Sequence, residues 1–216
     1  MSEPRTSALA PTPALRPLPV LLLYAVLPAL VVYGAALGLS GAAGIGTELV
    51  IRDLAQTANT PLGVGLISNL GYLLWMAAAT VCLFSVFSGL AGGGRRVREL
   101  LLCGGVFSLL LCLDDMFLLH DKYIGADFLY ITYAIFALLI LFRYRDLVVW
   151  LGGPTFLAAV ALLGGSVVLD KIQNLLPWRY ADVQLVEEGF KFLGIACWLC
   201  FWWQASAAAA KLKPGT

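Results

Sequence analysis

Twenty-three consecutive residues, Leu18 to Ser40, carry no charge. A helix rises about 1.5 Å per residue, so a run of that length crosses the roughly 30 Å of hydrocarbon in a bilayer. The run is too long for the apolar core of a signal peptide, and we take it as a first membrane helix. The pattern recurs along the chain. Of the 216 residues, 61% are hydrophobic and 12% are charged. A soluble domain carries roughly twice that charged fraction. Mean hydropathy is +0.89. The surface must therefore face lipid rather than water.

The sequence predicts an all-α bundle of six transmembrane helices. Residues 1–17 hold Pro4, Pro11, Pro13 and Pro17 among small polar residues and read as a disordered tail. A single six-helix domain over 18–207 and a short tail over 208–216 follow. After helix 1, the expected helices are Leu62–Leu90, a third ending near Asp121, Asp127–Tyr144, Leu147–Asp170 and Val183–Ala207. Arg5 and Arg16, then Arg95, Arg96 and Arg98, then Arg143 and Arg145, then Lys211 and Lys213 all fall on one side if six spans are counted. Positive residues mark the cytoplasmic side, so both termini are expected in the cytoplasm and the chain in a plasma (inner) membrane. A net charge of +1 excludes the basic stripe of a nucleic-acid binder. The five cysteines all lie in apolar stretches. They read as packing residues, including the Cys197–Cys200 pair.

Charges inside spans are costly, about 2.5–3.5 kcal/mol each at mid-membrane. Helix 3 starts at Arg98. About twenty residues of span then leave Asp114 and Asp115 roughly 5–7 Å inside its far boundary. Trp202 and Trp203 read as a cytoplasmic aromatic belt for helix 6. Counting back places Glu187 and Glu188 at about the same level and Lys191 near ~12 Å. Asp170 closes helix 5 and Asp127 opens helix 4 in this layer.

Helical spacing groups these residues. Asp114 and Asp121 are seven apart and share a face, with Asp115 about 100° round. His120 points elsewhere unless the helix ends before it. Gln184, Glu187, Glu188 and Lys191 form one stripe on helix 6; Ser166, Asp170 and Asn174 form another on helix 5. Tyr130, Tyr133, Asn69 and Tyr72 could complete a polar lining. Seven acids in the layer (Asp114, Asp115, Asp121, Asp127, Asp170, Glu187, Glu188) face at most five bases. Excess carboxylates in a low-dielectric site must hold protons or a metal ion.

Clustered carboxylates with one histidine suit a hard divalent cation, Mg, Mn or Ca. The expected ligands are Asp114, Asp115, Asp121 and Glu188. His120 or Glu187 would handle protons and Asp170 would orient. Such an ion would acidify a water and polarise an ester or phosphoryl oxygen, and a site under the headgroups would meet a lipid substrate. Two alternatives stay open. Protonatable carboxylates could serve a proton- or cation-coupled transporter. The acids could also form only structural ion pairs, since Glu187–Lys191 is a favourable i,i+4 pair. Phe192 to Ala210 is also uncharged, so helix 6 could start later and leave its acids in water. Gly34, Gly38, Gly104, Gly105, Gly164 and Gly165 permit close helix contacts, within the chain or in a homo-oligomer.

Leu113-Asp114-Asp115, then Leu119-His120-Asp121, then Asp170, then Glu187-Glu188 before a glycine-containing span resembles a recurrent pattern in small bacterial polytopic membrane proteins of unassigned function. The resemblance covers roughly Cys103 to Trp203 and implies a shared site. The ceramidase- and adiponectin-receptor-type hydrolases bind zinc through three histidines. This chain has one histidine, so that site cannot form.

Overall fold

The computed structural model describes residues 22–52, 54–61 and 63–212. The chain divides into two compact units, up to Val64 and from Gly65 onward. Among the described residues every regular element is helical.

The first unit opens with a π-helical turn, Leu22–Val26, continued by α1 (Leu27–Ala42). Two short helices follow, α2 (Thr47–Ile51) and α3 (Leu54–Ala58). α1 has 16 residues, about 24 Å of rise. The expected first span began at Leu18, and residues 18–21 lie outside the described ones.

The second unit contains α4 (Leu66–Phe87), α5 (Arg95–Phe117), the single turn α6 (Leu119–Lys122), α7 (Ala126–Arg143), α8 (Arg145–Ile172) and α9 (Tyr180–Lys211). A 3-10 turn, Gln173–Leu175, extends α8. Among the described residues five helices are long and apolar enough to cross a membrane: α4, α5, α7, α8 with its 3-10 extension, and α9. Large apolar side chains such as Phe84, Phe128, Trp150 and Leu185 point outward from them. Water would not tolerate so much exposed hydrocarbon on a monomer; lipid would.

The second unit is built around α9, which packs along α8 and α4, while α4 also packs along α5. The close contacts depend on particular residues. Trp202 lies where a Cβ on Gly104 would be, so α5 must carry glycine there. A Cβ on Gly194 would come within 2.8 Å of Leu163 Cγ and 3.0 Å of the Leu163 backbone nitrogen, which brings α9 close to α8. Gly105 accommodates Leu83 and Cys82 of α4 in the same way. By contrast, no described residue lies within 4 Å of a Cβ built on Gly34, Gly38 or Gly164. α8 is interrupted at Gly152, whose φ of 142° is open to glycine, with Pro154 just after it.

Aromatic rings fill the middle of the bundle. Trp198 sits 5.7 Å from Phe107, 5.6 Å from Phe156, 5.5 Å from Trp202 and 6.1 Å from Trp75, between ring centroids. Its indole N–H donates to Ser108 Oγ at 2.8 Å, and Ser108 donates on to Gly104 O at 2.7 Å, so this deep polar atom is paired. Trp202 belongs to this core and is fully buried, whereas Trp203 is exposed. The expected belt of two tryptophans is therefore one outward ring and one core ring. Among the cysteines, Cys82 and Cys112 are buried, and Cys200 faces outward.

One end of this unit gathers the arginines. Arg96 makes a two-pronged contact with Asp146, both distances 3.0 Å, and donates to Arg143 O at 3.2 Å. The start of α5 is thereby held against the turn between α7 and α8. The acids gather at the opposite end.

Candidate functional site

The helix that carries Asp114 and Asp115 stops at Phe117 because Leu118 adopts a left-handed conformation, φ 52° and ψ 44°. That conformation is unfavourable for a branched residue without glycine's freedom. It turns the chain back on itself. His120 then meets Asp114 twice: its backbone N–H donates to Oδ1 at 2.9 Å, and its ring Nδ1 lies 2.9 Å from Oδ2. Both side chains are nearly enclosed, 4% exposed for Asp114 and 9% for His120. The Nδ1 hydrogen bond to Asp114 holds the His120 imidazole above its ordinary pKa, against the opposing pull of burial.

Asp115 lies about 100° round the helix from Asp114. Its Oδ2 accepts the indole N–H of Trp75 on α4 at 3.0 Å. Its Oδ1 lies 2.8 Å from Lys191 Nζ on α9. Donor atoms of Asp114, Asp115 and His120 come within 4.8 Å of one another. That spacing suits a small group of ligands around one ion. His120, expected as a proton carrier, thus belongs with the candidate ligands. Of the other expected ligands, Asp121 is mostly exposed, with its Oδ1 3.5 Å from His120 Nε2. Glu188 lines the same cavity from α9.

That cavity has a volume of about 510 Å³, within the ordinary range for small-molecule sites, roughly 300–1,000 Å³. All five long helices contribute to its wall. The polar end holds Asp114, Asp115, His120, Glu187, Glu188 and Lys191; the far end is apolar and aromatic, with Phe107, Ala137, Val160, Ile195 and Trp198. The expected α9 stripe converges as a unit, since Gln184, Glu187, Glu188 and Lys191 all reach the wall. Gln184 Nε2 donates to Glu187 Oε2 at 2.9 Å. Tyr130 and Tyr133 also line it, and the Tyr130 ring lies 5.5 Å from the His120 ring.

Two expected members do not reach the wall. Asn174 is exposed. The α-helix has already given way to a 3-10 turn there, and Gln173 takes the place, donating to Asp170 Oδ1 at 3.1 Å. Asn69 is also exposed; the face of α4 that reaches the cavity carries Ser68, Gly71, Tyr72 and Trp75. Trp75 was not anticipated from the sequence. Its spacing of three from Tyr72 was the available signal. Asp127 pairs with Lys171 at 2.7 Å, and Lys171 Nζ lies 5.4 Å from the Tyr130 ring centre. This joins α7 to α8 beside the cavity.

Below Trp198 the bundle is filled by buried apolar side chains. Leu100, Leu101, Phe156, Phe201 and Trp202 are fully buried between the cavity and the arginine end.

One family model matches, over residues 21–205; its description is a domain of unknown function, DUF8692. No curated protein and no solved structure matches the chain.

Proposed function

This chain belongs to the DUF8692 family, whose description assigns no activity, and we propose from its site that it is a membrane-embedded, divalent-cation-dependent enzyme acting on an ester of a lipid. The observation that carries the reading is the two-ended cavity. A carboxylate–imidazole group stands at one end and an aromatic, apolar chamber at the other, within a single space of about 510 Å³. An amphiphile would fit head to the acids and tail to the rings.

In this reading all six apolar helices span a bacterial inner membrane, with both ends in the cytoplasm and the site in the extracytoplasmic leaflet. Support comes from the arginines at the opposite end of the second unit and the positive-inside rule. Asp114, Asp115 and His120 would hold Mg, Mn or Ca. His120 Nδ1 faces Asp114 Oδ2, so an ion shared by the two would take the Nδ1 lone pair, with the ring proton on Nε2, 3.5 Å from Asp121 Oδ1. A bound ion would supply an acidified water and a polarised ester. Glu187 or Glu188 would accept the water's proton and deliver it to the alcohol oxygen, whose bond to the carbonyl or phosphoryl centre breaks as the water oxygen's bond to that centre forms. Asp170 orients the polar end through Gln173.

The buried apolar side chains below Trp198 count against a conduction path to the arginine end. A structural reading draws support from a different observation: Asp114 and Asp115 are both paired already, with His120 and Lys191. One experiment separates it from the enzyme. Elemental analysis of the purified chain, with Mg, Mn, Ca and Zn supplied, should find near-stoichiometric divalent metal that is lost in Asp115→Asn/Glu188→Gln. The loaded protein should then cleave a member of a lipid-ester panel. Absence of metal under every condition would overturn the enzyme and leave the ion pairs as structure.

A further inference from the structure

We infer that Lys191 determines which cations this site accepts: its ammonium is an internal occupant of the cation position beside Asp115, displaced by a divalent ion and not by a monovalent one. The inference rests on the cation-binding reading above and adds the residue that sets its selectivity.

The geometry leaves little choice. Asp115 has two oxygens, and both are taken, Oδ2 by the Trp75 indole and Oδ1 by Lys191 Nζ. The indole is fixed, because Trp75 is 2% exposed and packed edge-on against Trp198. Lys191 is the movable partner. It ends a flexible four-carbon stem, about three turns into α9, and its side chain is 32% exposed, towards the cavity. An ion that ligates Asp115 through Oδ1 would sit against the like charge of the ammonium, and that repulsion favours the lysine's departure.

Charge then decides which ion succeeds. Sodium or potassium brings the same single charge as the ammonium and gains no Coulomb advantage over it. A divalent ion brings twice the Coulomb attraction to the same carboxylates and gains Asp114 and His120 as further ligands. The displaced ammonium does not have to enter a neutral region. Glu187 and Glu188 lie one turn back on the same face of α9, within reach of an i,i+4 or i,i+3 pairing. Displacement is thus an exchange of cations, with the lysine charge kept beside the head of the substrate.

The test is Mn²⁺ binding to the purified full-length chain, followed by electron paramagnetic resonance, for wild type, Lys191→Gln and Lys191→Arg. Removal of the internal competitor in Lys191→Gln should tighten Mn²⁺ by about tenfold, equivalent to about 1.4 kcal/mol. It should also make Mn²⁺ binding sensitive to Na⁺ replacing choline at constant ionic strength. Wild type should show no such sensitivity, and Lys191→Arg should not gain affinity. Equal Mn²⁺ affinity in wild type and Lys191→Gln overturns this inference and leaves the metal site standing. No Mn²⁺ on either overturns both. If Lys191→Gln does not fold, wild type supplies the answer through labelling by an amine-reactive reagent, read by mass spectrometry. Mn²⁺, and not Na⁺, should raise modification of Lys191 several-fold; unchanged labelling overturns the exchange.

Discussion

Leu118 is where a single residue decides what the site can be. Its left-handed backbone ends α5 and brings His120 back onto Asp114. A left-handed non-glycine residue costs roughly 1–2 kcal/mol. Leu118→Gly should therefore raise or leave unchanged the unfolding temperature in detergent, and Leu118→Val, which adds a β-branch, should lower it. Loss of stability in the glycine variant would mean that the side chain's contacts outweigh its backbone. His120 supplies a second test. Its folded-state pKa is raised by Asp114. The pair's contribution to stability is therefore full below the unfolded histidine value and is lost as pH rises through the folded one. The stability gap between wild type and His120→Gln in metal-free protein should narrow over that window. Divalent-cation affinity should rise over the same window, because the ion needs an unprotonated ring. A gap that widens with pH would contradict the Asp114 pairing. The sequence alone showed the acids and the histidine as neighbours. It did not show them touching, because a continued helix would have aimed His120 elsewhere.

At the scale of elements, helical periodicity was legible where the helix is regular. The stripe Gln184, Glu187, Glu188 and Lys191 converges on the cavity because α9 runs unbroken from Tyr180 to Lys211. The α8 stripe failed at its last member because the helix tightens into a 3-10 turn, which advances Gln173 and turns Asn174 outward. Trp202 and Trp203 are adjacent and so point in different directions, which composition alone does not register. Trp202 packs on Gly104 of α5 instead of marking a membrane boundary. Glycine content likewise did not say which glycines form contacts. Gly104→Ala should destabilise the bundle by about 1–3 kcal/mol, as overpacking does. Gly164→Ala meets open space and should stabilise α8 by up to about 1 kcal/mol through helix propensity. Thermal unfolding of the two variants beside wild type checks the pair. Equal behaviour would contradict the close α5–α9 approach.

For the whole molecule, the arrangement of charge and of packing point the same way. The acidic end of the cavity lies opposite Arg95, Arg96, Arg143 and Arg145 in the second unit, with buried rings between. With buried rings towards the arginines, exchange of the cavity's contents is expected from the acidic end or sideways from lipid. Which compartment that end meets follows from topology. With six spans and the arginines inside, Arg52→Cys should react with an impermeant thiol reagent added to intact cells, and Arg95→Cys should react only after the membrane is opened. The native cysteines do not confuse the result, since all five sit in the apolar helices. Labelling of Arg95→Cys from outside would reverse the orientation and place the cavity in the cytoplasmic leaflet, where any lipid it acts on would be drawn from the inner face. Labelling of both positions from outside would mean that α4 does not cross the membrane. The acids of α5 and α9 would then belong to a different depth, and the lipid-facing reading of the cavity would fall with it.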